Sequence, residues 1–400
     1  MDQFPYYKTW ARQTDLDAFA VATAEHDEFV MQDGRRVYDF LSTSFQTSFG
    51  HSHPLIRDRI HQQLDAMPIT SPKASFELKH RVSHRLLERL GLPAGKLFYT
   101  SGGSESVENA LKMARQIRGA TKVLARQKSY HGATLGALSV TGDWRNDPHW
   151  TLDSETVRIP EPADDPDFAE ATRRLHAAGA DSVAAVILET VSGTNGVAIP
   201  EPEYLHNAQA VCRETGVMLI IDEVLCGFGR CGGDFAFQAY GVEPDLVCLS
   251  KGITGGYIPF GAVYTAPRIV DFYERETLAC GLTTYAHPLG LAALDAVLDL
   301  LADDDFLANR RAAEQALREE LDAWAEEPWV EAVRCRGLLA AIELSYPAPT
   351  WQMCFDAGLH LFAKANMLVI APPLVSTPER LRAAVGTLRE VSASAVAAPV

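Results

Sequence analysis

The chain has 400 residues, of which 47% are hydrophobic and 22% charged, the balance of an ordinary globular protein. Its formal net charge of -16 argues against nucleic acids and anionic membranes as its main partners. A chain of this length exceeds what one hydrophobic core usually organises, so we expect two domains.

The cysteines and the N-terminus indicate the compartment. None of the seven cysteines forms a Cys-x-x-Cys pair, and several lie in or beside apolar runs, which favours reduced, buried thiols. The first residues have neither the basic start nor the apolar segment of a signal peptide. The longest apolar runs, such as 183–188, are too short to span a bilayer. We therefore expect a cytoplasmic protein.

The first elements in chain order form a hairpin. Apolar runs at 28–31 and 36–38 flank Asp33-Gly34, a dipeptide typical of a tight turn between two strands. We assign residues 1–49 to the first part of a smaller domain.

Strands and helices alternate through the middle of the chain. Short, continuous apolar runs predict strands buried on both faces of a parallel sheet, at 96–100, 123–126, 183–190, 217–224, 245–250 and 260–264. Apolar residues spaced by three and four predict helices between them, at 104–118, 166–178 and 202–215. This alternation predicts an α/β fold, with a mostly parallel, doubly wound sheet in a large domain over 50–288.

The pattern changes after residue 288. A run rich in alanine and leucine at 289–301 predicts a helix, and 338–344 and 367–371 predict a pair of strands. We expect residues 289–400 to join the N-terminal part in one smaller α+β domain.

Two predicted strands deliver ionisable groups to their carboxyl ends, where ligands bind in open α/β sheets. Asp222 ends the run that begins at Val217, and Lys251 follows the run at 245–250. A desolvated lysine and a buried acid are the pair that a pyridoxal phosphate enzyme needs, for the Schiff base and for the pyridine nitrogen. Taken singly, such a lysine is a solvated charge and such an aspartate a turn residue. The hypothesis therefore depends on their joint occurrence.

Gly103 and Ser104 lie where a predicted strand gives way to a predicted helix. The glycine allows close approach, the first helical N–H groups are free, and Ser104 adds a hydroxyl, a combination that suits a phosphate. A plain helix N-cap at Ser104 is the simpler interpretation. Tyr130 follows another strand and is suited either to stack on a planar cofactor or to fill the core.

Other chemistries have weaker support. Residues 227–232 match Gly-x-Gly-x-x-Gly, but residues 222–226 separate them from the strand and no clear helix start follows, which argues against a dinucleotide site. The acidic clusters at 164–167 and 303–305 are better explained by solvation and helix capping. The sequence contains neither His-Glu-x-x-His nor Gly-x-Ser-x-Gly, so we expect no metal site and no serine hydrolase.

The order and spacing of these pieces resemble the class III (omega) aminotransferases, pyridoxal phosphate enzymes of fold type I. The resemblance covers nearly the whole chain. The motifs that carry it are Gly103-Ser104-Glu105, Tyr130-His131-Gly132, Asp222-Glu223-Val224, Gly227-Phe228-Gly229-Arg230, Ser250-Lys251-Gly252, Thr283-Thr284-Tyr285-Ala286-His287-Pro288 and Ala371-Pro372-Pro373-Leu374.

The resemblance implies which residues hold pyridoxal 5′-phosphate. Lys251 forms the Schiff base and, once freed, moves the proton between substrate and cofactor, while Asp222 pairs with the pyridine nitrogen. The other implied cofactor residues are Gly103 and Ser104 at the phosphate, Tyr130 and Val224 on the two ring faces, His131, Glu189, and Thr283, which reaches the phosphate in a partner subunit. The implied assembly is a homodimer with shared active sites. Glu223 would support the surroundings of the ring, and Arg230 would belong to a structural ion pair.

Departures from the family pattern concern the substrate. Thr194 stands where some relatives carry a second glutamate that pairs with a carboxylate-binding arginine. The late arginine of many relatives appears here as Lys364, which offers a point charge and not a planar fork. Phe45 stands where relatives place a pocket aromatic, and Trp10 and Tyr7 either line the same entrance or serve packing.

We therefore expect an aminotransferase that moves an amino group from a primary amine or omega-amino acid to pyruvate or 2-oxoglutarate, in two half-reactions. Aminomutase, racemase or decarboxylase chemistry on the same scaffold is the alternative, because cofactor residues do not decide which bond breaks. A nucleotide-binding oxidoreductase and a catalytically silent binding protein are more remote alternatives.

Overall fold

The computed structural model describes residues 5–14 and 19–397, in which three sheets are surrounded by helices. The strands are β1 Val21–Glu25, β2 Glu28–Met31, β3 Arg36–Asp39, β4 Lys96–Thr100, β5 Lys122–Arg126, β6 Thr156–Ile159, β7 Val183–Glu189, β8 Met218–Asp222, β9 Leu246–Leu249, β10 Gly261–Thr265, β11 Val330–Arg336, β12 Leu339–Leu344, β13 Leu359–His360, β14 Phe362–Lys364 and β15 Met367–Ile370. The α-helices are α1 Pro54–Ala66, α2 Glu77–Leu90, α3 Gly103–Arg118, α4 Leu135–Val140, α5 Ala169–Ala178, α6 Pro202–Thr215, α7 Pro267–Tyr273, α8 Pro288–Leu300, α9 Asp304–Ala325, α10 Trp351–Asp356 and α11 Pro378–Ala397.

A seven-stranded sheet forms the centre, in the order β4-β10-β9-β8-β7-β5-β6. Six strands run in one direction, and β10 is antiparallel to both of its neighbours. All seven residues of β7 are buried, because side chains from its two faces enter two different hydrophobic clusters. The predicted mostly parallel sheet of an α/β fold is therefore confirmed.

The sequence missed the edge strand β6. Its residues Thr-Val-Arg-Ile mix polar and apolar side chains, and only Ile159 is fully buried. A strand covered on one side lacks the continuous apolar run by which the other strands were identified. It pairs in parallel with β5 and completes the sheet.

Helix boundaries follow from local capping. The helix predicted over 166–178 begins at Ala169, because the buried Asp165 carboxylate accepts hydrogen bonds from Glu170 N and Ala171 N, both at 2.9 Å. Asp303 likewise accepts from Phe306 N at 2.7 Å and caps α9. Both acidic clusters therefore contribute helix caps, as predicted.

The two smaller sheets are built from the ends of the chain. The predicted hairpin forms β2 and β3, and β3 pairs in parallel with β13, which lies some 320 residues later (359 minus 38). Strands β12 and β15 pair antiparallel, as expected for the late strand pair. The two chain ends thus share one sheet, while the domain limits at residues 49 and 288 stay a prediction.

None of the helices in the described part of the chain combines the length and apolar composition needed to cross a bilayer.

An ion network joins α1, α2 and α8. The carboxylate of Asp295, which is only 2% exposed, forms ion pairs with the guanidinium groups of Arg59, Arg81 and Arg85. Asp299, one turn later, binds Arg59 and Arg85 again but remains one-third exposed. Because Asp295 is buried among three cations, its removal leaves them without their common partner.

We predict that Asp295→Ala lowers the free energy of unfolding by about 2 kcal/mol, since it removes a buried carboxylate that accepts from three partly exposed arginines. Asp299→Ala is the matched control and should cost less than about 1 kcal/mol, because its pairs are solvent-screened. Urea denaturation of both variants measures the difference. Equal losses would show that burial of Asp295 adds nothing to the network.

Candidate active site

A cavity of about 780 Å³ opens at the carboxyl ends of the parallel strands. Glu189 ends β7, Asp222 ends β8 and Lys251 follows β9, and all three line it. The predicted residues that share this cavity are Gly103, Ser104, Tyr130, His131, Glu189, Asp222, Val224, Lys251, Phe45, Trp10 and Lys364. The sheet therefore brings together almost every candidate site residue that the sequence analysis identified.

Lys251 begins a tight turn, Lys251–Thr254, directly after β9. Its backbone φ is 47°, a left-handed conformation that a residue with a side chain adopts only at an energetic cost. Burial lowers the pKa of its amine, and the nearby Asp222 and Glu189 oppose that shift. The amine is therefore more readily deprotonated than that of a solvated lysine.

Asp222 is fixed by two hydrogen bonds. Its Oδ2 accepts from His131 Nδ1 at 2.7 Å, and its Oδ1 accepts from Val224 N at 3.0 Å. Asp222 is 4% exposed and His131 3% exposed, so both are buried within the cavity wall. These two bonds hold the carboxylate in one orientation. A carboxylate that has to face the nitrogen of a ring needs such a fixed orientation.

Arg126 is a buried partner that the sequence analysis missed. It is fully buried on β5, and its Nη2 donates to Glu189 Oε2 at 2.9 Å. Burial raises the pKa of Glu189, and the positive charge of Arg126 opposes that rise. No sequence signal identifies this pair, because Arg126 simply ends an apolar strand.

The predicted anion site lies at the start of α3, where Gly103 and Ser104 line the cavity, and its role stays a prediction. Gly102 is the N-cap, so Ser104 lies inside the first turn and its hydroxyl is not the cap. Ser104 Oγ instead accepts a hydrogen bond from Ala133 N at 3.1 Å, in the loop after Tyr130. A Cβ added to Gly103 would lie 2.8 Å from Val224 Cγ1, so this position admits only glycine without a shift.

Tyr130 lines the cavity and is half-buried, which decides against a core position. The guanidinium of Arg145 lies 4.8 Å from the centroid of its ring. Trp10 meets the same ring edge-on, with centroids 6.4 Å apart.

Arg145 is the centre of an aromatic cluster that the sequence analysis missed. Its guanidinium also lies 5.0 Å from the Trp10 ring and 5.2 Å from the Trp144 ring, within the range of cation–π contact. It pairs with Asp143, and its side chain is only 14% exposed. Asp143, Trp144 and Arg145 lie in an irregular loop after α4, where no periodic pattern marks them.

The three candidate substrate residues line the cavity at different places. The centroid of the Phe45 ring lies 5.4 Å from Lys251 Nζ, and Lys364 Nζ lies 5.7 Å from the Trp144 ring. Thr194 also lines the cavity. Tyr7 is 87% exposed and does not line it.

Thr283 is not brought into this cavity. It is exposed in the segment before α8 and is not among the lining residues. Its implied contact with a phosphate therefore cannot be made to the cavity of the same chain.

Phe45 belongs to a turn that the sequence analysis missed. Residues Ser42, Thr43, Ser44 and Phe45 have φ values of 48°, 45°, 63° and 71°, so the turn is left-handed throughout. Left-handed backbone costs roughly 1–2 kcal/mol for each residue with a side chain. Such strain persists only where surrounding contacts hold it.

Of two expectations for the neighbouring motifs, the one for Arg230 was wrong and the one for Glu223 stays a prediction. Arg230 is fully buried, but within the described residues it forms no ion pair; it donates to Leu338 O at 3.0 Å and to Pro372 O. Glu223 does not line the cavity, and it accepts hydrogen bonds from Ala236 N and Phe237 N, each at 2.9 Å.

The glycine motif at 227–232 forms no dinucleotide site. It lies in turns, with φ positive at Phe228, Gly229 and Gly232, and only a short 3-10 helix, Ala236–Tyr240, follows. A dinucleotide-binding Gly-x-Gly-x-x-Gly motif must lie at the start of a helix whose N-terminus points at the ligand.

The chain matches the family model for class III aminotransferases over residues 10–391. It belongs to that family. It is 33% identical to an omega-aminotransferase of Caulobacter vibrioides over 90% of each chain. It is 34% identical to an acetylornithine aminotransferase of Streptomyces coelicolor over 86% of this chain and 83% of that protein.

A solved structure of similar sequence has the same fold. It is the taurine:2-oxoglutarate aminotransferase of Bifidobacterium kashiwanohense, in complex with pyridoxal phosphate and glutamate. Its TM-score is 0.90 at 32% identity, covering 97% of this chain and 95% of that one. The protein is therefore a pyridoxal phosphate-dependent class III aminotransferase of fold type I, and the resemblance found in the sequence is confirmed.

We predict that Gly103→Ala weakens cofactor binding about tenfold, because overpacking against Val224 typically costs about 1–3 kcal/mol. Gly102→Ala is the matched control, since a Cβ there meets nothing within 4 Å and the glycine backbone is extended. Titration of each apo variant with pyridoxal phosphate, followed by visible absorbance, gives the dissociation constants. Equal affinities would contradict a cofactor phosphate at Gly103.

Proposed function

We propose that this aminotransferase takes the amino group of an omega-amino acid with a terminal acid group and passes it, in two half-reactions, to a 2-oxo acid. The observation that carries the proposal is Arg145, a mostly buried arginine that lines the same cavity as Lys251. A planar guanidinium suits the two oxygens of a carboxylate or a sulfonate.

The residues present fit pyridoxal phosphate. Gly103 and Gly132 have no room for a Cβ beside Val224 and Ser104, as close approach of a phosphate and a flat ring requires. Asp222 offers one fixed carboxylate, and Lys251 offers a buried amine with a lowered pKa. The cofactor, when bound, supplies an electron sink for the carbon that loses its proton.

The side chains of the chain itself do the remaining work. Lys251 is the covalent attachment point, and its freed amine acts as the base and acid at the substrate carbon. Asp222 keeps a proton at the ring nitrogen, and His131 holds Asp222 in place. Tyr130 and Val224 exclude water from the two ring faces, while Glu189 adds negative charge near Lys251.

The aromatic walls strengthen the proposed acid site. Trp10, Trp144 and Tyr130 surround the guanidinium of Arg145 and leave its side chain only 14% exposed, so its bond to an acid would be partly shielded from bulk water. Asp143 pairs with Arg145 in the present structure and would yield to the incoming acid. The similarity to the taurine:2-oxoglutarate aminotransferase of Bifidobacterium kashiwanohense supports a sulfonate donor and 2-oxoglutarate as the acceptor.

We infer that the working enzyme is a homodimer with shared sites. The exposed position of Thr283, away from the cavity of its own chain, supports a contact with the cofactor of a partner subunit. A cytoplasmic location also belongs to this proposal, and the seven free cysteines support it.

Aminomutase, racemase and decarboxylase chemistry would use the same cofactor residues. Stoichiometric conversion of the bound cofactor to its amine form by the donor alone, reversed by a 2-oxo acid, supports transfer. Turnover of the donor without an acceptor would support one of the other reactions.

We predict that Lys251→Ala abolishes amino transfer because the variant lacks the attachment amine and the proton-transfer group. Pyridoxal phosphate should still bind non-covalently through the α3 site. Activity with a donor panel, and mass spectrometry after borohydride reduction, measure both effects. Full activity, or a cofactor adduct on another lysine, would contradict the assignment.

We predict that Arg145→Gln raises the KM for β-alanine and for taurine about 10- to 100-fold, since a charge-assisted hydrogen bond is worth roughly 1.5–3 kcal/mol. The KM for 1-phenylethylamine, which has no acid group, should change less than about twofold. Steady-state kinetics with pyruvate and 2-oxoglutarate provide the comparison. If Lys364→Gln alone reproduces the selective loss, Lys364 and not Arg145 binds the acid.

A further inference from the structure

We propose that Asp39 is a positioning residue for substrate binding, because its carboxylate holds the left-handed turn Ser42–Phe45 that presents Phe45 to Lys251. The inference concerns the architecture of the cavity and does not depend on which acid the donor carries. It does rest on the proposed role of Lys251.

Asp39 ends β3 and is fully buried. Its Oδ1 accepts from Thr43 N at 2.9 Å, and its Oδ2 accepts from Thr43 Oγ1 at 2.7 Å and from Thr47 Oγ1 at 3.3 Å. His51 Nε2 lies 2.9 Å from the same Oδ2. One carboxylate therefore bonds the turn through both the backbone and a side chain.

Contacts on the other side of the turn act on Ser42. Its Oγ donates to Ala371 O at 2.6 Å and accepts from Arg230 Nη2 at 3.0 Å. Arg230 also donates to Ser48 Oγ at 3.3 Å, just beyond the turn. The turn is thus held by Asp39 on one side and by Arg230 and Ala371 on the other.

The turn needs such support because none of its four residues is glycine. Three backbone hydrogen bonds close it among the described residues: Phe45 N to Leu41 O and Gln46 N to Ser42 O, both at 2.8 Å, and Thr47 N to Ser42 O at 3.0 Å. A left-handed turn of ordinary residues relaxes when its external bonds are removed.

The position of the turn connects it to the chemistry. Leu41, Ser44 and Phe45 all line the cavity, and Phe45 is only 4% exposed. The Phe45 ring faces Lys251 Nζ at 5.4 Å. When only a fraction of molecules holds the binding conformation, the apparent dissociation constant rises in inverse proportion to that fraction.

The test compares Asp39→Asn with Asp39→Asn/Ser44→Gly in the cofactor-loaded enzyme. We expect Asp39→Asn to raise the KM for β-alanine and for 1-phenylethylamine about tenfold, with kcat changed less than about twofold. Glycine adopts φ near 63° without a steric penalty, so the second substitution should restore most of the lost affinity. Ser44→Gly alone measures its own effect on KM.

A second readout needs neither activity nor cofactor. In the apo protein, hydrogen exchange of the Phe45 and Gln46 amides should accelerate about tenfold in Asp39→Asn and return toward the original rate in the double variant. Asp165→Asn is the matched control, because Asp165 is also buried and caps a helix without lining the cavity. It should lower the melting temperature and leave KM and both exchange rates unchanged.

A lower melting temperature with unchanged KM and unchanged exchange in Asp39→Asn would overturn the proposal, and so would a loss of affinity that Ser44→Gly fails to repair. If Asp39→Asn does not fold, Thr43→Ala removes one bond to the carboxylate and should shift KM and exchange in the same directions. If the unsubstituted enzyme transfers no amino group, the proposed function is refuted. The hydrogen-exchange experiment still tests the role of Asp39 in that case.

Discussion

The site depends on the register between β8 and β9, which fixes where one carboxylate and one amine leave the sheet. Asp222 is paired with Cys248 in that register, and Lys251 follows three residues after Cys248. A slip of one residue would turn every side chain of a strand to the opposite face of the sheet. Because both strands are buried on both sides, such a slip would disrupt two hydrophobic clusters, and the geometry is therefore protected by the core.

The same constraint explains what the sequence could predict. Strands buried on both faces need continuous apolar runs, so six of the seven central strands were found, and the residues at their ends were placed near one another by topology alone. The edge strand β6 is half-buried and lacks that signal. Nothing in a strand pattern distinguishes β10 as the antiparallel member either, because its residues are equally buried.

The remaining parts of the site are set by contacts between distant segments. The left-handed turn at Ser42–Phe45 is supported by Asp39, Arg230 and Ala371, which lie far apart in the sequence. Arg145 acquires its surroundings from Trp10 and Tyr130, which belong to two other segments. Such features have no local signature, because a short polar string forms a turn, a loop or a binding wall depending on what packs against it.

Charge pairing distinguishes Arg145 from Arg126 and Lys251 as a partner for a substrate acid, while Lys128 and Lys364 are further cations that line the cavity. Arg126 is fully buried and bonded to Glu189, so exchanging its partner would leave a buried charge uncompensated. Lys251 feels the negative charges of Asp222 and Glu189 and is committed to the cofactor in the proposed mechanism. Arg145 has an acidic neighbour in its own loop and retains slight exposure, so it can change partner at lower cost. Selectivity for acidic donors would then depend on how easily Asp143 is displaced, a property of the loop and not of the sheet.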